Sequence, residues 1–205
     1  ALKEDGSILQ WGFEGQTPPD TSDFEDVYSG NYSHFGFKED GSVKTWGRNG
    51  LGPASSSMEA QLNSGAKVLK VVASNQAWAA LKEDGSVLAW GSGSYGGSEP
   101  TSDLQSGVIE IVPNAYGFAA LKEDGSVVSW GGGSNSNYSS EDLSSGVVKL
   151  FSNSSSFAGL KEDGSVVSWG HSERGGDSSF VSNLLSSGVI RIVPNGSAFA
   201  ALKED

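Results

Sequence analysis

Ala1-Leu2-Lys3-Glu4-Asp5-Gly6-Ser7-Ile8-Leu9-Gln10-Trp11-Gly12 decides the fold, because this stretch returns almost intact along the chain. Copies end at Trp46-Gly47, Trp90-Gly91, Trp130-Gly131 and Trp169-Gly170, and a sixth stops at Asp205. The Lys of each Lys-Glu-Asp falls at 3, 38, 82, 122, 161 and 203, so the units run 35 to 44 residues, about 40 on average. That period suits a propeller blade and is too long for a leucine-rich unit. Helical repeats of this length need long 3.6-residue apolar periods, and none is present.

Working outward, each unit reads as short strands. Val108-Ile109-Glu110-Ile111-Val112 and Val189-Ile190-Arg191-Ile192-Val193 are β-branched runs that end at Pro-Asn. Phe118-Ala119-Ala120-Leu121-Lys122 and Val127-Val128-Ser129-Trp130 flank Glu123-Asp124-Gly125-Ser126. That tetrapeptide reads as a tight hairpin, its glycine supplying positive φ. The runs are nearly continuous in small and apolar residues, which implies sheets covered on both faces. Ala or Gly two positions before each Lys (Gly36, Ala80, Ala120, Gly159, Ala201) points to a crowded strand near a central axis. A polar connection follows each Trp-Gly and ends in Leu-x-Ser-Gly at 62–65, 104–107, 143–146 and 185–188. Ser140-Glu141-Asp142-Leu143 reads as one N-capped helical turn. The first unit lacks this corner and has Phe24-Glu25-Asp26-Val27 in its place.

The reading is therefore an all-β propeller. It forms one domain over residues 1–205, with five units at approximately 1–37, 38–81, 82–121, 122–160 and 161–202 and three to four antiparallel strands in each. The chain starts and stops inside the same motif, so a ring of five would bring two segments to one strand position. The expectation is a fragment of a longer propeller or repeat array, with residues 199–205 not paired beside 7–11.

Composition narrows the function classes. There are 29 glycines in 205 residues, roughly twice the usual share, with 6 prolines and no cysteine. Disulfide frameworks, Cys-based zinc sites and thiol nucleophiles are excluded. A formal charge of −12 argues against a nucleic-acid partner, whose binding rests on basic side chains. No apolar run reaches the 18 or more residues of a membrane span.

The Ala-Leu-x-x-Asp-Gly-x-Val-x-x-Trp-Gly pattern, five times over, resembles the regulator of chromosome condensation repeat family. It is also similar to the bacterial β-lactamase-inhibitory proteins built on that propeller. Trp46-Gly47-Arg48-Asn49-Gly50-Leu51-Gly52 is most like the family's Trp-Gly-x-Asn-x-x-Gly stretch, whereas the other units carry Ser, Gly or His after Trp-Gly. The resemblance implies a β-propeller, commonly of seven blades, whose faces and rims bind proteins. No residue here matches the guanine-nucleotide exchange activity of the family's nuclear member.

The six Lys-Glu-Asp tripeptides each carry a net −1 and so make up half of the −12. Gathered at one face, they would focus a negative potential. The simpler reading is turn chemistry that keeps a repeat soluble. The Trp-Gly tryptophans and Trp78 occupy fixed strand positions and read as packing between blades. Gly91-Ser92-Gly93-Ser94-Tyr95-Gly96 matches a dinucleotide loop only formally, since no helix pattern follows. His34 and His171 lie in different units and offer no metal cluster, and no nucleophile motif stands out. The expectation is no enzyme, no cofactor and no metal. Asn-x-Ser sequons begin at Asn31, Asn137, Asn153 and Asn195.

Fixed positions build the blade, so a specific surface is written in the variable ones. These are Arg48, Asn49, Tyr95, Asn135, Tyr138, His171 and Arg174 in the loops after Trp-Gly, with Tyr32 and Tyr116 expected on the opposite rim. Tyr and Arg are enriched at interface hot spots. The expected function is a protein-binding or scaffolding module of a larger repeat protein, bacterial and secreted or surface-exposed. The alternatives are a structural spacer without a partner and, third, an enzyme with a site in the channel.

Overall fold

The computed structural model describes residues 1–11, 21–47, 54–98, 102–132 and 143–204. Three-stranded antiparallel sheets form from β1 (Phe24–Ser29), β2 (Ser33–Lys38) and β3 (Val43–Gly47), and from β4 (Val68–Ala73), β5 (Ala77–Lys82) and β6 (Val87–Gly91). The same arrangement recurs in β7 (Val108–Pro113), β8 (Gly117–Lys122) and β9 (Val127–Gly131), and in β10 (Val147–Ser152), β11 (Ser156–Lys161) and β12 (Val166–Gly170). A fifth sheet has two strands, β13 (Val189–Pro194) and β14 (Phe199–Lys203). This is a run of propeller blades.

Each hairpin is closed by the Glu-Asp-Gly-Ser turn. In the third blade Lys122 N donates to Ser126 O at 2.9 Å, and Asp124 Oδ1 accepts from Ser126 N and Oγ at 2.9 and 2.6 Å. Gly125 has φ +75°, and a Cβ there would meet Gly146 N at 2.8 Å, so the turn also seats the next blade. Val147 N then donates to Gly125 O, as Val108 N does to Gly85 O and Val189 N to Gly164 O.

The middle strands are buried on both faces, β5 completely, which is why their sequence is continuous in small and apolar residues. They are not the axial strands. Neighbouring blades approach through their first strands, β4 to β7, β7 to β10 and β10 to β13, so the axis runs beside those. The crowding at Gly36 comes instead from its own blade, where a Cβ would meet Phe24 Cε1 at 2.4 Å and Trp46 Cζ3 at 3.1 Å. Four of the first strands open with a bulge that leaves Leu69, Ile109, Val148 and Ile190 exposed, followed by Lys70, Glu110, Lys149 and Arg191. The axial strands thus carry apolar and charged groups in place of the expected Ala and Gly.

Tryptophans bolt one blade to the previous one. Trp169 Nε1 donates to Ser129 Oγ at 2.9 Å, Trp130 Nε1 to Gly96 O at 3.0 Å and Trp46 Nε1 to Gln10 Oε1 at 2.9 Å. Trp78 stacks on Trp90 in the core between the first and second blades.

The connections pack one leucine each: Leu62 at the end of α1 (Ser56–Leu62), then Leu104 and Leu143, all buried. The lysines that recur in each repeat hold these connections. Buried Lys82 donates to the carbonyls of Gln61 and Ser64, Lys122 to Asp103 O and Lys203 to Leu184 O. Phe24-Glu25-Asp26-Val27 is strand β1, not a substitute corner. The corner place is taken by Asp23, which adopts φ +65° where the third, fourth and fifth blades use Gly107, Gly146 and Gly188. Residues 140–142 of the expected helical turn lie outside the described residues.

Among the described residues, 199–203 and 7–11 do not pair. β14 pairs with β13 alone, and Ile8 bridges Leu2 while packing on Phe24 and Trp46. No helix among the described residues is long and apolar enough to cross a membrane.

Candidate protein-binding rim

Antiparallel pairing gives the blades two ends. The Glu-Asp-Gly-Ser turns lie at one. The turns between first and second strands lie at the other, together with the loops that leave Trp-Gly. This second end is where Tyr32, Tyr95, Tyr116, His171 and Arg174 collect.

Its foundation is a row of Asx-type turns. Asn114 Oδ1 accepts from the N–H groups of Tyr116 and Gly117 at 2.8 and 2.9 Å. Asn153 holds Ser155 and Ser156 in the same way, and Asn195 holds Ser197 and Ala198. Adjacent turns bond to each other. Asn31 Nδ2 donates to Asn75 Oδ1, Asn75 N to Ala115 O, Ala115 N to Ser154 O and Ser154 Oγ to Gly196 O, at 2.6 to 3.2 Å. A cavity of about 320 Å³ opens among them, lined by Asn31, Ser74, Asn75, Asn114 and Ser154.

The loops after Trp-Gly are strapped onto this row. In the second blade Ser92 N donates to Gln76 O and Ser74 Oγ to Tyr95 O, both at 2.8 to 2.9 Å. In the fourth, His171 N donates to Ser155 O at 3.1 Å and Asn153 Nδ2 to Arg174 O at 2.6 Å. Each loop is a single 3₁₀ turn, Gly93–Tyr95 and Ser172–Arg174, closed by a left-handed glycine, Gly96 and Gly175. One backbone therefore presents Tyr95 in one blade and Arg174 in another.

Tyr116, from the turn of the third blade, stacks on Tyr95 with ring centroids 6.0 Å apart and keeps an exposed face. Tyr32 and Tyr116 therefore stand at the same end as the loops, not on the opposite rim, because the turn before a second strand and the exit from a third strand meet there. Of the sequence-selected residues, Tyr95 and Tyr116 touch. His171 and Arg174 share one loop, and Tyr32 lies in the first blade. Arg48, Asn49, Asn135 and Tyr138 lie outside the described residues. The asparagine row went unselected, although the recurring Pro-Asn and Ser-Asn just ahead of the second strands was its signal.

Other candidates resolve into packing. His34 stacks on Trp46 and bonds Ser29 Oγ through Nδ1, and burial holds its imidazole below the ordinary range. No cluster of three or more His, Asp or Glu among the described residues can hold a metal ion. Asn153 is buried with its Nδ2 bonded, which closes that sequon to modification.

No family model and no curated protein matches the chain. Solved structures do. The Saccharomyces cerevisiae protein Prp20p, whose structure was described with its binding to Gsp1p and histones, matches with a TM-score of 0.56 at 21% identity over 87% of this chain and 50% of its own. The same yeast protein, named RCC1 and bound to Kap60, matches at 0.56 and 20% over 90% and 49%. The ectodomain of the Arabidopsis thaliana receptor kinase ACR4 matches at 0.50 and 18% over 72% and 51%. The chain spans about half the length of these structures. Its fold is an RCC1-like β-propeller repeat.

Proposed function

We propose that this chain is a non-enzymatic protein-binding module of a larger repeat protein. Its partner docks on the loop end, against Tyr32, Arg48, Asn49, Tyr95, Tyr116, Asn135, Tyr138, His171 and Arg174. The observation that carries this reading is that loops 92–97 and 171–176 share their backbone bonds yet offer different side chains, Tyr95 in one and Arg174 in the other. A rigid frame with interchangeable Tyr and Arg tips is what hot-spot recognition requires.

A spacer role is the second reading, favoured by the near-identity of the joints from the second blade to the fifth, where Val108, Val147 and Val189 N meet the preceding turn glycine at 2.9 to 3.0 Å. The double variant Tyr116→Ala/Arg174→Ala separates the two. Both side chains are exposed, so the melting temperature stays within about 2 °C. Capture of proteins from the source organism's own surface extract is lost if the loop end binds. Capture that survives the variant removes the loop end from consideration, and no capture by the parent chain leaves the spacer.

A further inference from the structure

At the loop end, where the first strands give way to their turns, four consecutive blades wall a polar cavity of about 320 Å³. That is the small end of the range for ligand pockets. Its lining comes from residues 29–31, 73–75 and 113–115 and from Ser154, every one a glycine, alanine, proline, serine or asparagine. No charged side chain stands there to meet a phosphate, a carboxylate or an ammonium group.

The turns leave polar groups unused around this space. Asn31 Nδ2 donates to Asn75 Oδ1, so Asn31 Oδ1 and Asn75 Nδ2 are left without a hydrogen bond among the described residues. Asn114 is 7% exposed, and its Oδ1 is pinned by the N–H groups of Tyr116 and Gly117, so its amide cannot turn over. Its Nδ2 has no partner, whereas Nδ2 of the counterpart Asn153 donates to Arg174 O. A buried donor without an acceptor is rare in native structures and points to a missing one. Tyr116, next in the chain to Ala115 of the lining, adds an exposed ring that its stack on Tyr95 holds in place.

We propose that this cavity binds one neutral pyranose sugar ring. A sugar hydroxyl both donates and accepts, so hydroxyls on neighbouring ring carbons can engage two amide donors and one carbonyl acceptor from three adjacent turns. The C–H face of the ring lies against Tyr116, whose apolar body suits it. A charged ligand would give up its hydration for uncharged partners, which disfavours acidic and phosphorylated sugars. This site goes beyond protein docking, which uses the loop tips, and a sugar of this size binds weakly, with a dissociation constant on the order of millimolar.

The probes are the methyl glycosides of glucose, galactose, mannose and N-acetylglucosamine, each titrated to about 50 mM and followed by the side-chain amide signals in nitrogen–proton correlation spectra. At least one glycoside should shift the Asn75 and Asn114 amides and the Tyr116 ring protons together. Asn75→Ala keeps the backbone bond to Ala115 O, and Asn114→Asp keeps Oδ1 for both turn amides while removing Nδ2. Each should weaken binding at least about fivefold. Glucuronide and glucose 6-phosphate should bind at least about tenfold more weakly than the neutral sugar. The proposal is overturned by amides that no glycoside moves, by affinity unchanged in both variants, or by equal binding of the charged sugars. Amide shifts produced by a neutral blocked tripeptide and by no glycoside would overturn it as well. Asn75→Ala leaves Tyr95, Tyr116 and Arg174 in place, so sugar binding and protein capture fail separately.

Discussion

Asp84 shows what the acidic tripeptide does. Its Oδ1 accepts from Ser86 Oγ at 2.6 Å and Ser86 N at 3.0 Å, and these bonds hold the carboxyl below its ordinary value. Asp5, Asp40, Asp124 and Asp163 are held down in the same way by Ser7, Ser42, Ser126 and Ser165. A carboxyl depressed in the folded state stabilises the fold above its unfolded value of 3.8 and loses that contribution as pH falls through the folded value. The melting temperature should therefore be level from neutral pH to about 5 and fall below about 4. Replacing the five serines by alanine should lower it at pH 7 and flatten the acid fall, as followed by circular dichroism. An unchanged acid slope would mean that the hydroxyl bonds do not set the titration. The Asx turn was legible because Asp-Gly-Ser closes on itself. The lysine beside it was not, because the carbonyls that it meets lie about 20 residues back along the chain.

At the scale of elements, Lys82 joins a connection to a blade. It is 6% exposed and caps the carbonyls of Gln61 and Ser64 at the end of α1. Lys82→Met keeps the stem but takes the ammonium donor from Ser64 O and leaves Gln61 O only its local bonds from Ser64, at a cost of about 2 kcal/mol, or a fall of roughly 4–8 °C in melting temperature. Lys203→Met, whose bond to Leu184 O is exposed, should cost less than about 0.5 kcal/mol, and thermal melts of the two variants compare them directly. Strand number, the hairpin turns and the buried middle strand were readable from β-branched runs, turn residues and unbroken small apolar sequence. Which strand faces the axis was not readable. Order within a blade depends on neighbours about 40 residues away, and the bulges at Leu69 and Ile109 break the alternation that marks an exposed face. The same gap put Tyr32 and Tyr116 on the wrong rim: their positions before a second strand were clear, but the end at which that strand starts was set by the direction of the first.

At the scale of the molecule, stability is a sum of blades and joints, because the main packing among the described residues runs between neighbouring blades. Among the described residues the second, third and fourth blades have a joint on each side, while β14 pairs with β13 alone. Protection of middle-strand amides should follow that count. In hydrogen exchange, β5 and β8 should exchange slowest, and β14 faster than either by at least about a hundredfold. The contrast rests on burial: Ala79, Ala80, Ala119 and Ala120 are fully enclosed, whereas residues 200–203 are exposed. Equal protection in β8 and β14 would show that the edge is covered in the monomer.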